Sequence, residues 1–178
     1  MKVEQTKLPE VLLFSPKKFG DERGFFMEAW NRKRYAENGL DMDFVQSNVS
    51  RSSKGVLRGL HFQQPRAQGK LVQVLEGEVF DVAVDIRKDS PHFGEWVGEF
   101  LNTDNARQLY IPPGFAHGFL VTSDTALFSY LCTEYYYPED DGGVIWNDPD
   151  IGIKWPGDEI ELSDKDKNLP TLEQLQHG

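Results

Sequence analysis

Short apolar runs between Val11 and Trp155 are broken at close intervals by glycine and proline. Only the stretch from Asn31 to Asn38 carries the three-to-four spacing of an amphipathic helix, so the pattern predicts a mostly β protein. Its clearest signal flanks Glu76-Gly77. Before that dipeptide runs Lys70-Leu-Val-Gln-Val-Leu75. After it, Val79-Phe-Asp-Val-Ala-Val-Asp-Ile86 alternates, with Phe80, Val82, Val84 and Ile86 on one face. This predicts a hairpin with one buried face. Leu109 to Ile111, Phe115 to Thr122 and Leu127 to Thr133 read as further strands, bounded by turn residues at intervals suited to a sandwich or barrel. The expected architecture is all-β, a jelly-roll barrel. Past Pro138 the alternation is lost, and the polar tail from Leu169 to Gly178 has room for a short helix.

At 178 residues the chain fits one domain, residues 1–178, with a core large enough to need neither disulfide nor metal. A hydrophobic content of 39%, spread along the chain, excludes a disordered or membrane-spanning class. The formal net charge of -10 argues against a nucleic-acid partner, while leaving room for a local basic patch that holds a phosphate. Cys132 is the only cysteine, so no intrachain disulfide can form, and no charged-then-apolar leader is seen. A cytoplasmic location is the expectation.

Candidate chemistry is scattered. Arg58 and His61 stand three apart in Gly55-Val-Leu-Arg-Gly-Leu-His-Phe-Gln63; taken alone they read as a rim arginine and a satisfied core histidine. Lys70 shares a strand face with Val72 and Val74, where a buried ammonium is costly unless functional; on spacing alone it reads as a surface lysine guarding a strand start. Ile111-Pro-Pro-Gly-Phe-Ala-His117-Gly has the Pro-x-Gly-x-x-His pattern with which many cupins present a histidine to the barrel interior. Metal-binding cupins add His-x-His and a following glutamate, because a divalent ion needs three or four convergent ligands. The histidines here, His61, His92, His117 and His177, lack that cluster, so no metal or other cofactor is expected. Tyr130 opens a run in which Tyr135, Tyr136 and Tyr137 read as core and interface aromatics. Asp166 lies in a charged stretch that reads as a solvated turn or a helix start capped by Ser163.

Taken together, Asp21-Glu-Arg-Gly-Phe-Phe-Met-Glu28, Phe44-Val-Gln-Ser-Asn48, Leu57 to Gln63, Gln68-Gly-Lys70, Ile111 to Phe119 and Leu162 to Lys167 resemble the dTDP-4-dehydrorhamnose 3,5-epimerase family. The resemblance spans nearly the whole chain, with the motifs in the family's order and at similar intervals. It implies a homodimeric, metal-free, cupin-type jelly roll (a double-stranded β-helix barrel) with short peripheral helices. The implied substrate is a dTDP-linked 4-keto-6-deoxy sugar. Carried over by motif, His61 would be the base, Asp166 its orienting partner, Tyr130 the opposing acid, and Lys70 the group beside the C4 oxygen. Arg23, Glu28, Gln46, Asn48, Arg58, His117, Asp141 and Lys165 would contact nucleotide and sugar. Two positions depart from the family pattern: Leu131, where many relatives carry lysine, and Asp141, where glutamate is common. The rival readings are an epimerase acting at C3 or C5 alone, a metal-dependent cupin oxygenase, and a non-catalytic sugar-binding cupin.

Overall fold

The computed structural model describes residues 1–177; the last residue of the expected C-terminal helix, Gly178, lies outside them. Two antiparallel sheets carry the fold, with strands numbered in chain order. The first has six strands, in the order β1 (Lys2–Gln5), β2 (Leu12–Ser15), β10 (Gln108–Ile111), β7 (Lys70–Glu76), β12 (Thr125–Cys132) and β5 (Gln46–Ser53). The second has five, in the order β13 (Asp141–Gly143), β6 (Leu57–Gln63), β11 (Phe115–Val121), β8 (Glu78–Asp85) and β9 (Trp96–Asn102). A separate hairpin joins β3 (Lys18–Asp21) to β4 (Gly24–Met27). Among the described residues three short α-helices lie at the periphery: α1 (Arg32–Ala36), α2 (Asp164–Lys167) and α3 (Leu172–His177). This is the expected cupin-type jelly roll, and α1 and α3 fall where the spacing and the polar tail placed them.

The inner faces of both sheets meet in one apolar cluster that includes Val72 and Val74 of β7, Val79 and Ala83 of β8, Phe119 and Val121 of β11, and Phe128 of β12. Burial of this surface is the main driving force for closing the barrel. The outer faces are covered as well. Tyr35 and Leu40 pack on Phe14, Leu71 and Tyr110 outside the larger sheet. Val144, Ile151 and Leu172 pack on Phe80, Val82, Val84 and Ala116 outside the smaller one.

The expected hairpin at Glu76-Gly77 is not formed. β7 pairs with β10 and β12, whereas β8 pairs with β9 and β11, so the chain crosses there from one sheet to the other. Gly77 makes the crossing with φ +80, and a Cβ on it would stand 2.0 Å from the Thr125 carbonyl oxygen. Local turn chemistry is the same for a hairpin and for a corner; which one forms is decided by the partners available to each strand. The single buried face predicted for β8 is corrected too. Seven of its eight positions are buried, because the interior takes Val79, Asp81 and Ala83 while the C-terminal segment covers Phe80, Val82 and Val84.

Candidate active site

A cavity of about 490 Å³ opens into the barrel and is lined by Arg58, His61, Lys70, His117, Tyr130, Lys165 and Asp166, with Phe119 and Phe128 as apolar floor. That size suits a small organic ligand. Of the residues singled out in the sequence, the four assigned to chemistry by the resemblance therefore share one chamber.

His61 reaches it through an irregularity. On a regular strand, residues three apart face opposite ways. Here β6 pairs His61 with His117 but Arg58 with Phe119, so three steps on β6 match two on β11. This bulge turns both side chains inward. Gly59 and Gly118 make it possible: Gly59 has φ +127, and a Cβ on it would lie 2.6 Å from the Gly118 Cα.

Asp166 comes from the chain end. Ser163 caps α2, its side chain accepting from the Asp166 amide. The cap matches the sequence reading, but the solvated alternative for Asp166 is corrected, since its side chain is only 5% exposed. Its Oδ1 lies 2.6 Å from His61 Nε2. Burial pushes the Asp166 pKa up, but the His61 contact, the Gly59 amide and Ser163 outweigh it, and the group stays below the usual carboxylate value. An ionised Asp166 fixes the proton of a neutral His61 on Nε2, which leaves Nδ1 as the basic nitrogen.

On the opposite sheet, Tyr130 and Lys70 face inward from β12 and β7, with the Lys70 ammonium 5.9 Å from the Tyr130 ring centroid. Lys70 keeps the parity of Val72 and Val74 and lines the cavity, which corrects the reading of a surface lysine at a strand start. Burial pushes the Tyr130 hydroxyl above its ordinary pKa, so it carries its proton at neutral pH; Asn48 and Arg58 pull the other way. Burial likewise lowers the Lys70 pKa, opposed by Cys132, Asp81 and Asp141. His117 is buried against Asp81, with 2.9 Å between Nε2 and Oδ2.

The remaining sequence candidates divide. Asn48 is the register partner of Tyr130 and accepts from Gln46, whose own Oε1 accepts from the Tyr136 amide. At the mouth, Asp141 accepts from Lys165 and from the Tyr136 hydroxyl. Arg23 and Glu28 stand apart from the cavity: Arg23 is 90% exposed on the β3–β4 hairpin, paired with Asp21, and Glu28 faces Arg34 and Asn31. Sequence reasoning missed Asp81. Its signal was present, because an acid shares the odd-numbered face with Val79 and Ala83, but the even face drew the hydrophobic assignment. Among the described residues no group of three or more His, Cys, Asp or Glu side chains is arranged to hold a metal ion, and no helix is long and apolar enough to cross a membrane.

The arrangement, a carboxylate-held imidazole facing a phenol and an ammonium across the cavity, can move protons on and off a carbon beside an oxygen that becomes charged. A protein of Shigella flexneri named dTDP-4-dehydrorhamnose 3,5-epimerase is 57% identical over 94% of this chain and 94% of its own. The dTDP-6-deoxy-D-glucose-3,5-epimerase of Legionella pneumophila Philadelphia 1, solved in complex with dTDP-4-keto-L-rhamnose, superposes with a TM-score of 0.94 at 53% identity, covering 97% of this chain and 93% of that one. A 3'-monoepimerase from Streptomyces bikiniensis, in complex with dTDP-quinovose, gives a TM-score of 0.92 at 34% identity, over 97% and 89% of the two chains. The model of one family, dTDP-4-dehydrorhamnose 3,5-epimerase, matches residues 5–174. The chain belongs to the dTDP-4-dehydrorhamnose 3,5-epimerase family.

Proposed function

We propose that the protein converts dTDP-4-dehydro-6-deoxy-D-glucose to dTDP-4-dehydro-L-rhamnose by inverting C3 and C5, the carbons beside the C4 ketone. The observation that carries this reading is the His61–Asp166 contact of 2.6 Å on one sheet, with Tyr130 and Lys70 on the other. His61 Nδ1 takes the proton from C5 or C3, and the C–H electron pair moves into an enolate whose charge rests mainly on the C4 oxygen. Lys70 stabilises that charge. Asp166 stabilises the imidazolium and holds its orientation. Tyr130 returns a proton to the carbon from the opposite face, which inverts it. The phenol and imidazole then reset by exchange with water, and the second carbon follows after the sugar reorients. Arg23, Arg58 and Lys165 serve the diphosphate, for which guanidinium geometry is suited; Glu28, Gln46, Asn48, His117 and Asp141 contact nucleotide and sugar.

The roles of base and acid are separable. Tyr130→Phe is expected to keep exchange of solvent deuterium at C5 while product formation falls by about 100-fold, because His61 can still remove and return a proton on its own face. Proton NMR of the reaction in deuterated water reads both quantities. Equal loss of exchange and product would remove Tyr130 from the acid role.

The working unit of this reading is a homodimer. Phe19, Phe25 and Phe26 on the β3–β4 hairpin are 52%, 56% and 70% exposed around Arg23, an apolar patch that a second copy would cover. β5 is an edge of the larger sheet and leaves one side of its backbone free for pairing. A hairpin reaching across would carry Arg23 to the partner's cavity. Arg23→Ala and His61→Ala proteins, each deficient alone, are then expected to regain one working site per heterodimer when refolded together. No recovery, or a monomer by analytical ultracentrifugation, would reject the shared site. The protein acts in the cytoplasm on this reading, without membrane or nucleic acid.

A further inference from the structure

Arg66 is not among the residues that line the cavity, yet it holds the segment that forms one side of its mouth. It stands in the loop after β6. Its Nε donates to Asp140 Oδ2 at 2.6 Å, and its Nη2 donates to Asp140 Oδ1 at 3.0 Å and to Glu139 Oε1 at 2.7 Å. The guanidinium carbon lies 3.4 Å from the centre of the Tyr137 ring. Gln63 completes the clamp: its Nε2 donates to the Arg66 and Tyr135 carbonyls, and its Oε1 accepts from the Tyr137 amide. The Asp140 side chain is only 6% exposed, and Arg66 is the one cation paired with it among the described residues. Without the guanidinium, that carboxylate would be shut from water with no counter-charge, and the segment would have to shift to hydrate it.

The clamped segment carries side chains toward the opening. Tyr136 sits between the held residues Tyr135 and Tyr137, its amide donating to Gln46 and its hydroxyl to Asp141. Asp141 opens β13 opposite Gln63 of β6 and accepts from Lys165, which precedes Asp166 on α2. Arg66, Tyr136, Asp141 and Lys165 therefore belong to one connected wall, running from the end of β6 to the helix that supplies Asp166. A bidentate arginine–carboxylate pair stacked on a ring fixes orientation as well as distance, which a wall that must meet a ligand in one place requires. None of the Arg66 side-chain hydrogen bonds among the described residues reaches His61, Tyr130 or Lys70.

We propose that Arg66, through its clamp on Glu139, Asp140 and Tyr137, is a positioning residue that holds the Tyr136–Asp141–Lys165 wall where the nucleotide part of the substrate docks. The proposal rests on the reading of the site as one for a dTDP-linked sugar. Its test is steady-state kinetics together with titration calorimetry of dTDP itself, on wild type, Arg66→Ala and Asp140→Asn, with folding followed by scanning calorimetry. Arg66→Ala is expected to raise KM and the dTDP Kd about tenfold while kcat stays within about twofold, because the proton-transfer groups are untouched. Asp140→Asn keeps the side-chain shape but loses the charge-assisted pair, and should shift both constants the same way by a smaller factor. Where Arg66→Ala does not fold, Asp140→Asn carries the same test. In an Asp141→Ala background, Arg66→Ala should add less than about threefold, since the wall it positions is already broken. Unchanged KM and dTDP Kd in a folded variant would overturn the proposal whatever happens to Tm. So would a fall in kcat at constant KM, or an undiminished effect in the Asp141→Ala background. Wild-type protein that does not bind dTDP would overturn the reading of the site instead.

Discussion

Replacing His61 with alanine is expected to slow epimerisation by roughly 10²–10⁴-fold, the usual worth of a positioned general base, with little change in KM. His61 sits at the wall where a carbon-bound proton must leave, and its Nε2 is already committed to Asp166 at 2.6 Å. Alanine removes the only basic nitrogen so held in the cavity; His117, the other histidine lining it, points Nε2 at the buried Asp81. Asp166→Asn should follow with a comparable loss, since an amide can donate to Nε2 and trap the imidazole in the wrong tautomer. Steady-state kinetics on both variants, with the fold checked by circular dichroism, would decide the matter. A loss of less than about tenfold in His61→Ala would take the base role away from it.

The second large effect concerns the backbone that aims His61. Gly59→Ala is expected to cost about 3 kcal/mol or more, because it combines a left-handed φ of +127 with a Cβ placed 2.6 Å from the Gly118 Cα. In a chain of this size that corresponds to a fall in Tm of roughly 6–12 °C. The neighbouring atom is backbone on a buried strand and cannot swing aside, unlike the Arg87 side chain that a Cβ on Gly114 would meet. Activity should fall with stability, because straightening the bulge sends Arg58 and His61 to opposite faces. Differential scanning calorimetry gives the first quantity. A fall of only about 1 °C would mean that the bulge relaxes and that its glycine is dispensable.

These two cases also mark where the sequence was informative. The parity of Lys70 with Val72 and Val74 was legible because burial enforces a period of two, but spacing alone favoured a surface lysine at a strand start, and only the resemblance put it in the site. The Ser163 cap and the helix near Asn31 were legible for the same local reason. The turn at Gly77 was misread because its hydrogen bonds are decided by strands far away in sequence, and no local pattern separates a hairpin from a corner. Asp81 was passed over because its face of the strand was taken as the wet one, whereas that face is the barrel interior and the segment from Val144 to Leu175 covers the other. The pairing of His61 with Asp166 spans 105 positions, and only the resemblance, not spacing, connected them. Arg23 lies outside the cavity of its own chain, consistent with a site completed by a second copy.

The central claim is proton exchange at both carbons beside the ketone, and the most direct measurement is proton NMR of the purified protein with dTDP-4-dehydro-6-deoxy-D-glucose in deuterated water. Loss of the C3 and C5 proton signals with wild-type protein, and retention of both with His61→Ala, is the predicted result. Exchange at one carbon alone would mark an epimerase acting at a single centre, and exchange at neither would contradict the account.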